Sequence, residues 1–564
     1  MKHTALLIAT LLIGFPVLST GQIERPDKEK MHHEVPDAGS EYMELKNAST
    51  SPAYKVQRDG FFTIQANVDE HGNNIIGDAA NEPSIAVDPT DPNRIMIGWR
   101  QFDNVNSSFR QAGYAYSLDA GQSWTSPAPI NTGVFRSDPV LGCDPQGNFY
   151  YNSLSTNSND EFFCTVYKTN GGSMEWDNGT LAYGGDKQWM VIDNTDGSGS
   201  GFNYSFWTQY YSYCYPGFFT RSSDLGASYE PCVTVQGKPY WGTLAIGPEG
   251  ELYIAGAGDS DDIMIAKSVN TNIPGSFIMW SEYTAIDLGG YVTGWTPVNP
   301  AGLLGQVYVD VDVSGGSGHG NVYVLASIVR PGLDAADVMI ARSRDGGVSF
   351  DPPVRVNDDP DNTEYQWFGT MSVAPNGRID VVWLDTRLDP NHGVKSALFY
   401  SYSADEAQTW SVNKQLSEVF DPHVGWPQQN KMGDYFHMVS DIDGAHLAWA
   451  NTLNGEQDVY YAYIQPGTVG MNEQEMDEYI SVSNYPNPFT GHTSIRYTLR
   501  QTAPVQMQIF DVFGKKVAEP LNAIRKAGNH TFTFDASELP VGIYIGRLSS
   551  GGQTHSVRMI KAGK

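Results

Sequence analysis

Positive charge is scarce in this 564-residue chain: 35 Lys and Arg stand against 64 Asp and Glu, a net charge of −29. So acidic a surface repels phosphate backbones and anionic lipid, which argues against a nucleic-acid partner. Long helical periodicity is missing, and beyond the first twenty residues no apolar run is long enough to span a bilayer. Only four cysteines occur, Cys143, Cys164, Cys214 and Cys232, with no C-x-x-C spacing, which argues against a zinc site. The twelve histidines form no H-E-x-x-H, and no G-x-S-x-G elbow is present. Metal catalysis and serine-hydrolase chemistry therefore have no footing. No cofactor is indicated, and bound calcium is left open.

What is present is glycine (58 residues), aromatics (12%) and short apolar runs, the composition of strands joined by tight turns. Residues 1–21 read as a signal peptide: Lys2 and His3 precede the apolar run Ala5–Leu18, with small Ser19 and Gly21 before a cut at Gln22. Export permits disulfides, and the local pairs Cys143–Cys164 and Cys214–Cys232 are the expected connectivity. Residues 22–60 are polar and read as a flexible lead-in. From Asn484 to Lys564 there are ten Lys/Arg against four Asp/Glu, so about +6 sits in the tail and about −35 in the rest. That step marks a separate C-terminal module.

Between 61 and 464 a unit recurs: a small-residue apolar strand, a turn with Asp, Asn, Pro or Gly, then a second apolar strand. Copies lie at 83–99, 138–151, 188–207, 242–256, 305–326, 369–383 and 433–449. A third strand and a short motif follow most copies. Ser117-Leu-Asp119-Ala-Gly121-Gln-Ser-Trp124 is the fullest form. Ser222-Ser-Asp224-Leu-Gly226 and Ser343-Arg-Asp345-Gly-Gly347 end in Tyr229 and Phe350, while Ser403-Ala-Asp405 lacks the glycine. In such a turn the carboxylate accepts backbone N–H groups and glycine takes the positive φ, so Asp119, Asp224, Asp345 and Asp405 are expected to be structural.

These motifs resemble the Asp boxes of the sialidase-like β-propellers. The resemblance implies an all-β ring of four-stranded blades, seven by the count of repeats, with six as in sialidases the alternative. The seventh unit ends at 458–464 without a fourth strand. FFTIQANV (61–68) is expected to supply it and close the ring.

After a linker at 465–483, the tail 484–564 carries Tyr485-Pro-Asn-Pro-Phe489, Phe510-Asp-x-x-Gly514, Ala527-Gly528-x-His530, Leu539-Pro-x-Gly542-x-Tyr544 and Lys561. It resembles the type IX secretion C-terminal sorting domain of Bacteroidota, a small β-sandwich. That implies the secretion machinery as a partner and a secreted or surface-attached product.

By analogy of fold, ligands sit at the mouth where first strands start and second strands end. That face carries Glu82, Asp138, Asp186, Lys187, Trp189, Tyr240, Trp241, Glu364, Tyr365, Trp367 and Asp434, with Arg100, Arg330, Asp385 and Arg387 at the second-strand ends. Rings beside carboxylates suit glycans or glycoproteins: sugar faces stack and hydroxyls hydrogen-bond. A sialidase needs three arginines for the substrate carboxylate, a nucleophile and an acid/base. Arg100, Arg330 and Arg387 are candidates for the first role, and Asp138, Asp186, Glu364 and Tyr365 for the others. The sialidase Arg-Ile-Pro motif is absent. The expected function is therefore a sialidase-like propeller acting on glycans as a glycoside hydrolase, with a non-catalytic surface propeller or adhesin that binds glycans or proteins as the alternative.

Overall fold

The computed structural model describes residues 48–467 and 482–563, apart from single loop positions (59, 158, 160, 171, 261, 331 and 333) and short stretches at 361–362, 500–501, 512–514, 527 and 551–552. The expected signal peptide and most of the expected linker lie outside the described residues. The chain forms two units, residues 1–469 and 470–564. Among the described residues no helix is long and apolar enough to cross a membrane.

Each two-strand repeat folds into an antiparallel sheet because its apolar residues are buried on both faces, between neighbouring sheets. The innermost strands are Ala79–Val87, Ser137–Cys143, Trp189–Ile192, Tyr240–Ile246, Tyr308–Val311, Gln366–Val373 and His437–Ser440. Each packs on the next in chain order, and His437–Ser440 returns to Ala79–Val87. The result is a closed ring of radiating sheets, the β-propeller arrangement. In the sheet begun by His437–Ser440, the strand Phe61–Gln65 pairs with Asp458–Ile464, Phe61 opposite Ile464 and Gln65 opposite Tyr460. The chain's beginning thus covers a sheet edge that would otherwise be bare.

Two expectations are corrected. Pairing begins before Phe61: Lys55–Arg58 adds a further strand to Phe61–Gln65, and Thr50–Pro52 pairs with Asn73–Ile75. The lead-in is therefore ordered in its last part. Cys214 and Cys232 are bonded, but Cys143 and Cys164 are free, buried thiols. Cys143 lies opposite Phe149 and Cys164 opposite Leu154, on either side of the strand Phe149–Thr156. That puts them two strands and five residues apart, roughly 20 Å, where a disulfide needs about 7 Å or less between Cα atoms.

The four Asp boxes share one geometry. Asp119, Asp224, Asp345 and Asp405 each accept, at 2.9 Å, the backbone N–H four residues on, and take the hydroxyl of that residue on the second oxygen. The opening serine donates to the same carboxylate at 2.7–2.9 Å. With the Ser349 hydroxyl foremost, these bonds pull Asp345 down to about 2. Two successive residues in each box have positive φ, and Ala407 (φ 61) occupies the position that is glycine in the others. Glycine there also allows close packing: a Cβ on Gly121 would overlap the Tyr461 ring of the neighbouring sheet. The boxes thus tie adjacent sheets together.

The second unit is a sandwich. A three-stranded sheet (Val482–Tyr485, His492–Leu499, Gly528–Asp535) and a four-stranded one (Lys516–Arg525, Ala503–Asp511, Gly542–Ser550, Gln553–Lys561) enclose Ile495, Met507, Ile509, Leu548 and Met559. Lys561 is buried, and its ammonium donates to the carbonyls of Ala536, Ser537 and Leu539.

Candidate functional site

In the innermost strands a bulge recurs near the start. Pairing with the second strand slips between Asn81 and Ser84, Ser137 and Val140, Tyr240 and Thr243, and Trp367 and Thr370. At this level φ is positive at Glu82 (49°), Asp138 (47°), Lys187 (57°), Trp241 (51°), Gly305 (154°), Phe368 (56°) and Gly433 (96°). For the five that are not glycine this costs roughly 1–2 kcal/mol each. Such strain persists where the surroundings over-determine it, commonly at functional sites. One half of this circle is charged and the other half, at Trp241, Gly305 and Phe368, is not.

The charged half is a closed network. The Lys187 ammonium lies 2.7 Å from Asp434 and 3.7 Å from both Asp138 and Asp186. Lys431 contacts Asp434 at 2.7 Å and Glu82 at 3.3 Å, and Arg100 reaches Glu82 at 3.2 Å. Arg100 also donates to Asn81 at 2.8 Å. Arg110 joins them through Ser137 at 3.2 Å, with its guanidinium over Phe135. Four acids thus face four bases, and none of these side chains is more than 4% exposed. The hairpin Gly294–Thr296/Asn299–Leu303 lies against the network: the Leu303 N–H donates to Asp434 at 2.8 Å, and the Asn299 amide to the Gly433 carbonyl at 2.9 Å.

Burial and partners divide the acids. Burial, with Asp138 and Asp434 nearby, raises Asp186 to about 7 against the pull of Lys187, and neither of its oxygens accepts a hydrogen bond. Burial likewise raises Glu82 to about 7 despite Arg100 and Lys431. It also works against Asp138, but Lys187, Arg100 and the Ser137 hydroxyl at 2.6 Å hold that carboxyl below the usual range. Acids whose folded pKa is raised contribute stability below their unfolded pKa and lose it as pH rises through the folded value. Asp138 and the box aspartates stay ionised above pH 5 and add no slope there. Asp310, raised to about 6, and Asp334 and Asp458, raised to about 7, slope the same way, while His437, lowered to about 4 by burial, opposes them up to about pH 6.5. The raised acids outnumber it, so unfolding free energy is expected to fall between pH 5 and pH 8. Asp186→Asn should remove on the order of 1–2 kcal/mol of that difference, measured by urea titrations at both pH values.

The other expected residues lie elsewhere. Arg330 pairs with Asp337 at 2.6 Å. Arg387 pairs with Asp385 at 2.8 Å, Asp358 at 2.7 Å and Asp359 at 3.3 Å, and stacks over Phe399. These two arginines belong to a rim cluster between neighbouring sheets, whereas Arg100 is in the central network, so the three do not converge. Glu364 is buried, accepting from Thr386 at 2.8 Å and contacting His392, and Tyr365 is half-buried beside it. Tyr240 and Trp241 pack in one apolar core. Trp367 is buried in another, with its indole N–H donating to Ser396 at 3.0 Å. These three rings face inward because the bulge turns the strand start toward the core.

Trp189 instead lines a central cavity of about 790 Å³ that opens on the side of the first turns, with Tyr308, Asp310 and His437 also on its wall. Burial raises Asp310 to about 6 and lowers His437 to about 4. Trp189 packs edge-on against Tyr308, Tyr435 and His437. Arg110 escaped sequence reading because nothing in its segment marks a buried cation. Among the described residues no group of three or more His, Cys, Asp or Glu could hold a metal ion.

Residues 483–562 match the family described as the secretion system C-terminal sorting domain. The tail is thus a type IX sorting domain, and the chain is secreted or attached to the cell surface. No curated protein matches the sequence. Among solved structures, the chain is similar to a protein of unknown function from Dyadobacter fermentans, at 15% identity over 73% of this chain and 99% of that one, with a TM-score of 0.41. An α-L-arabinofuranosidase from Fusarium graminearum is 11% identical over 74% and 99%, with a TM-score of 0.39. Trypanosoma rangeli sialidase is 9% identical over 90% and 92%, with a TM-score of 0.38.

Proposed function

We propose that this chain is a secreted, seven-bladed, sialidase-like propeller that binds glycans without cleaving them. The blade count is supported by the ring of innermost strands and its closure through Phe61–Gln65. Binding rather than cleavage is supported by one observation above all: the acids and bases of the central network neutralise one another behind a closed surface. A substrate carboxylate would find no arginine cluster, since Arg100, Arg330 and Arg387 each hold a carboxylate of the protein.

A glycoside hydrolase is the second reading. It is favoured by the divergence of Asp138, held below the usual carboxylate range, from Asp186, raised to about 7, around a shared lysine. Such divergence suits a base and an acid. The mature protein is expected to bind spots on a glycan array yet release no sugar from sialosides, arabinans or neutral polysaccharides. Turnover abolished by Asp138→Asn or Asp186→Asn would establish the hydrolase instead. Binding to no glycan would dispose of both.

A further inference from the structure

The loop Thr208–Gly217 (TQYYSYCYPG) presents three tyrosines to solvent, Tyr210 at 47%, Tyr213 at 40% and Tyr215 at 68% exposure. Each exposed ring forfeits part of the free energy that its burial would contribute. This one is also held firmly. Cys214 is bonded to Cys232. The Trp207 indole donates to Ser212 at 2.7 Å, and the Gln209 amide donates to the Pro216 carbonyl at 2.8 Å. The Thr208 and Tyr213 N–H groups donate to the carbonyls of Asp186 and Gly184, at 3.0 and 2.9 Å. The loop is therefore fixed to the start of an innermost strand, next to the charged network. Tyr213 leans between Phe163 and Tyr183, each ring centre 6.4 Å away.

We propose that Tyr213 and Tyr215 form a stacking platform for a neutral saccharide. The proposal rests on the glycan-binding reading and names its contact surface. Three observations favour this ligand. The exposed side chains of the loop are tyrosines and one proline, with none of the Met or Arg that accompany aromatic rings at protein interfaces. A phenol offers a flat apolar face and a hydroxyl together, which matches the two faces of a sugar ring. The loop contains no Lys or Arg, and exposed Glu161 lies beside Phe163 on the adjoining hairpin, so an anionic sugar would meet no counter-charge. Because the loop is already fixed, binding gives up little conformational freedom.

The test is affinity electrophoresis of the mature protein through gels containing a β-glucan, a xylan, an arabinan or, as the anionic control, polygalacturonate. Retardation is expected in at least one neutral gel and none in polygalacturonate. Tyr213→Ala/Tyr215→Ala should weaken it roughly tenfold or more, and Tyr213→Phe/Tyr215→Phe by clearly less. Both positions are exposed, so the fold is expected to survive, which a matching urea transition would verify. Retardation unchanged in the alanine variant would overturn the platform while leaving glycan binding intact at another surface. Retardation in no gel, with an equally blank glycan array, would remove both. Binding to immobilised mucin that survives its deglycosylation and disappears in the alanine variant would reassign the platform to protein.

Discussion

Truncation after residue 483 is expected to abolish release: the propeller should accumulate inside the cell envelope, with signal in the medium and at the surface falling to background. The matched sorting domain occupies 483–562. It is a self-contained unit with its own core, and Phe489, Ile495, Tyr497, Leu548 and Met559 are buried within it. Its charge of about +6 contrasts with the acidic remainder. Its sequence motifs brace the fold. The Asn487 amide donates to the Arg558 carbonyl at 2.8 Å while its oxygen accepts the Ile560 N–H, and the Tyr544 hydroxyl donates to the Pro540 carbonyl. Lys561 gathers three carbonyls of the turn 536–539. The truncated chain keeps all the ring contacts, so it should remain folded and be recovered intact from the periplasm. Cell fractionation with an antibody to the propeller would measure this, and undiminished secretion of the truncated chain would refute the role given to the tail.

The second large effect is expected from Lys187→Met. Lys187 is fully buried and is the only cation in contact with Asp138 and Asp186 among the described ion pairs. Its loss leaves four buried carboxyls facing Arg100, Arg110 and Lys431. Removing one partner of a buried ionic group costs about 3–5 kcal/mol, because the remaining charge stays desolvated. The penalty should be largest at pH 8, where Glu82 and Asp186 are ionised, and should shrink towards pH 5 as they take up protons. Adding Asp434→Asn to Lys187→Met should recover part of the loss, since the pair lies at 2.7 Å. Urea unfolding of the single and double variants measures both effects. A change within about 0.5 kcal/mol, the usual range for surface positions, would mean that the network is hydrated.

The candidate site was only partly legible. Glu82, Asp138, Asp186, Lys187 and Asp434 could be named because strand starts in a repeated unit fall on one face. Tyr240, Trp241 and Trp367 were named by the same rule and face the core, because the bulge near each strand start reverses the simple alternation of side chains. The tyrosine loop at 208–217 carries its own sign in the run of rings around Cys214, but it lies outside the strand starts and ends that mark the mouth. Cys143 and Cys164 do not pair because closeness along the chain is not closeness across a sheet whose middle strand separates them.

What the sequence alone determined was the repeated hairpin, the Asp box and the identity of the tail. Each is specified by residues within a few positions of one another, through turn chemistry and alternation. Only the tertiary structure decided which charges neutralise which. Glu82 and Lys431, or Lys187 and Asp434, meet because ring closure brings distant strands to one axis, and there burial, more than residue type, sets the protonation of each carboxyl.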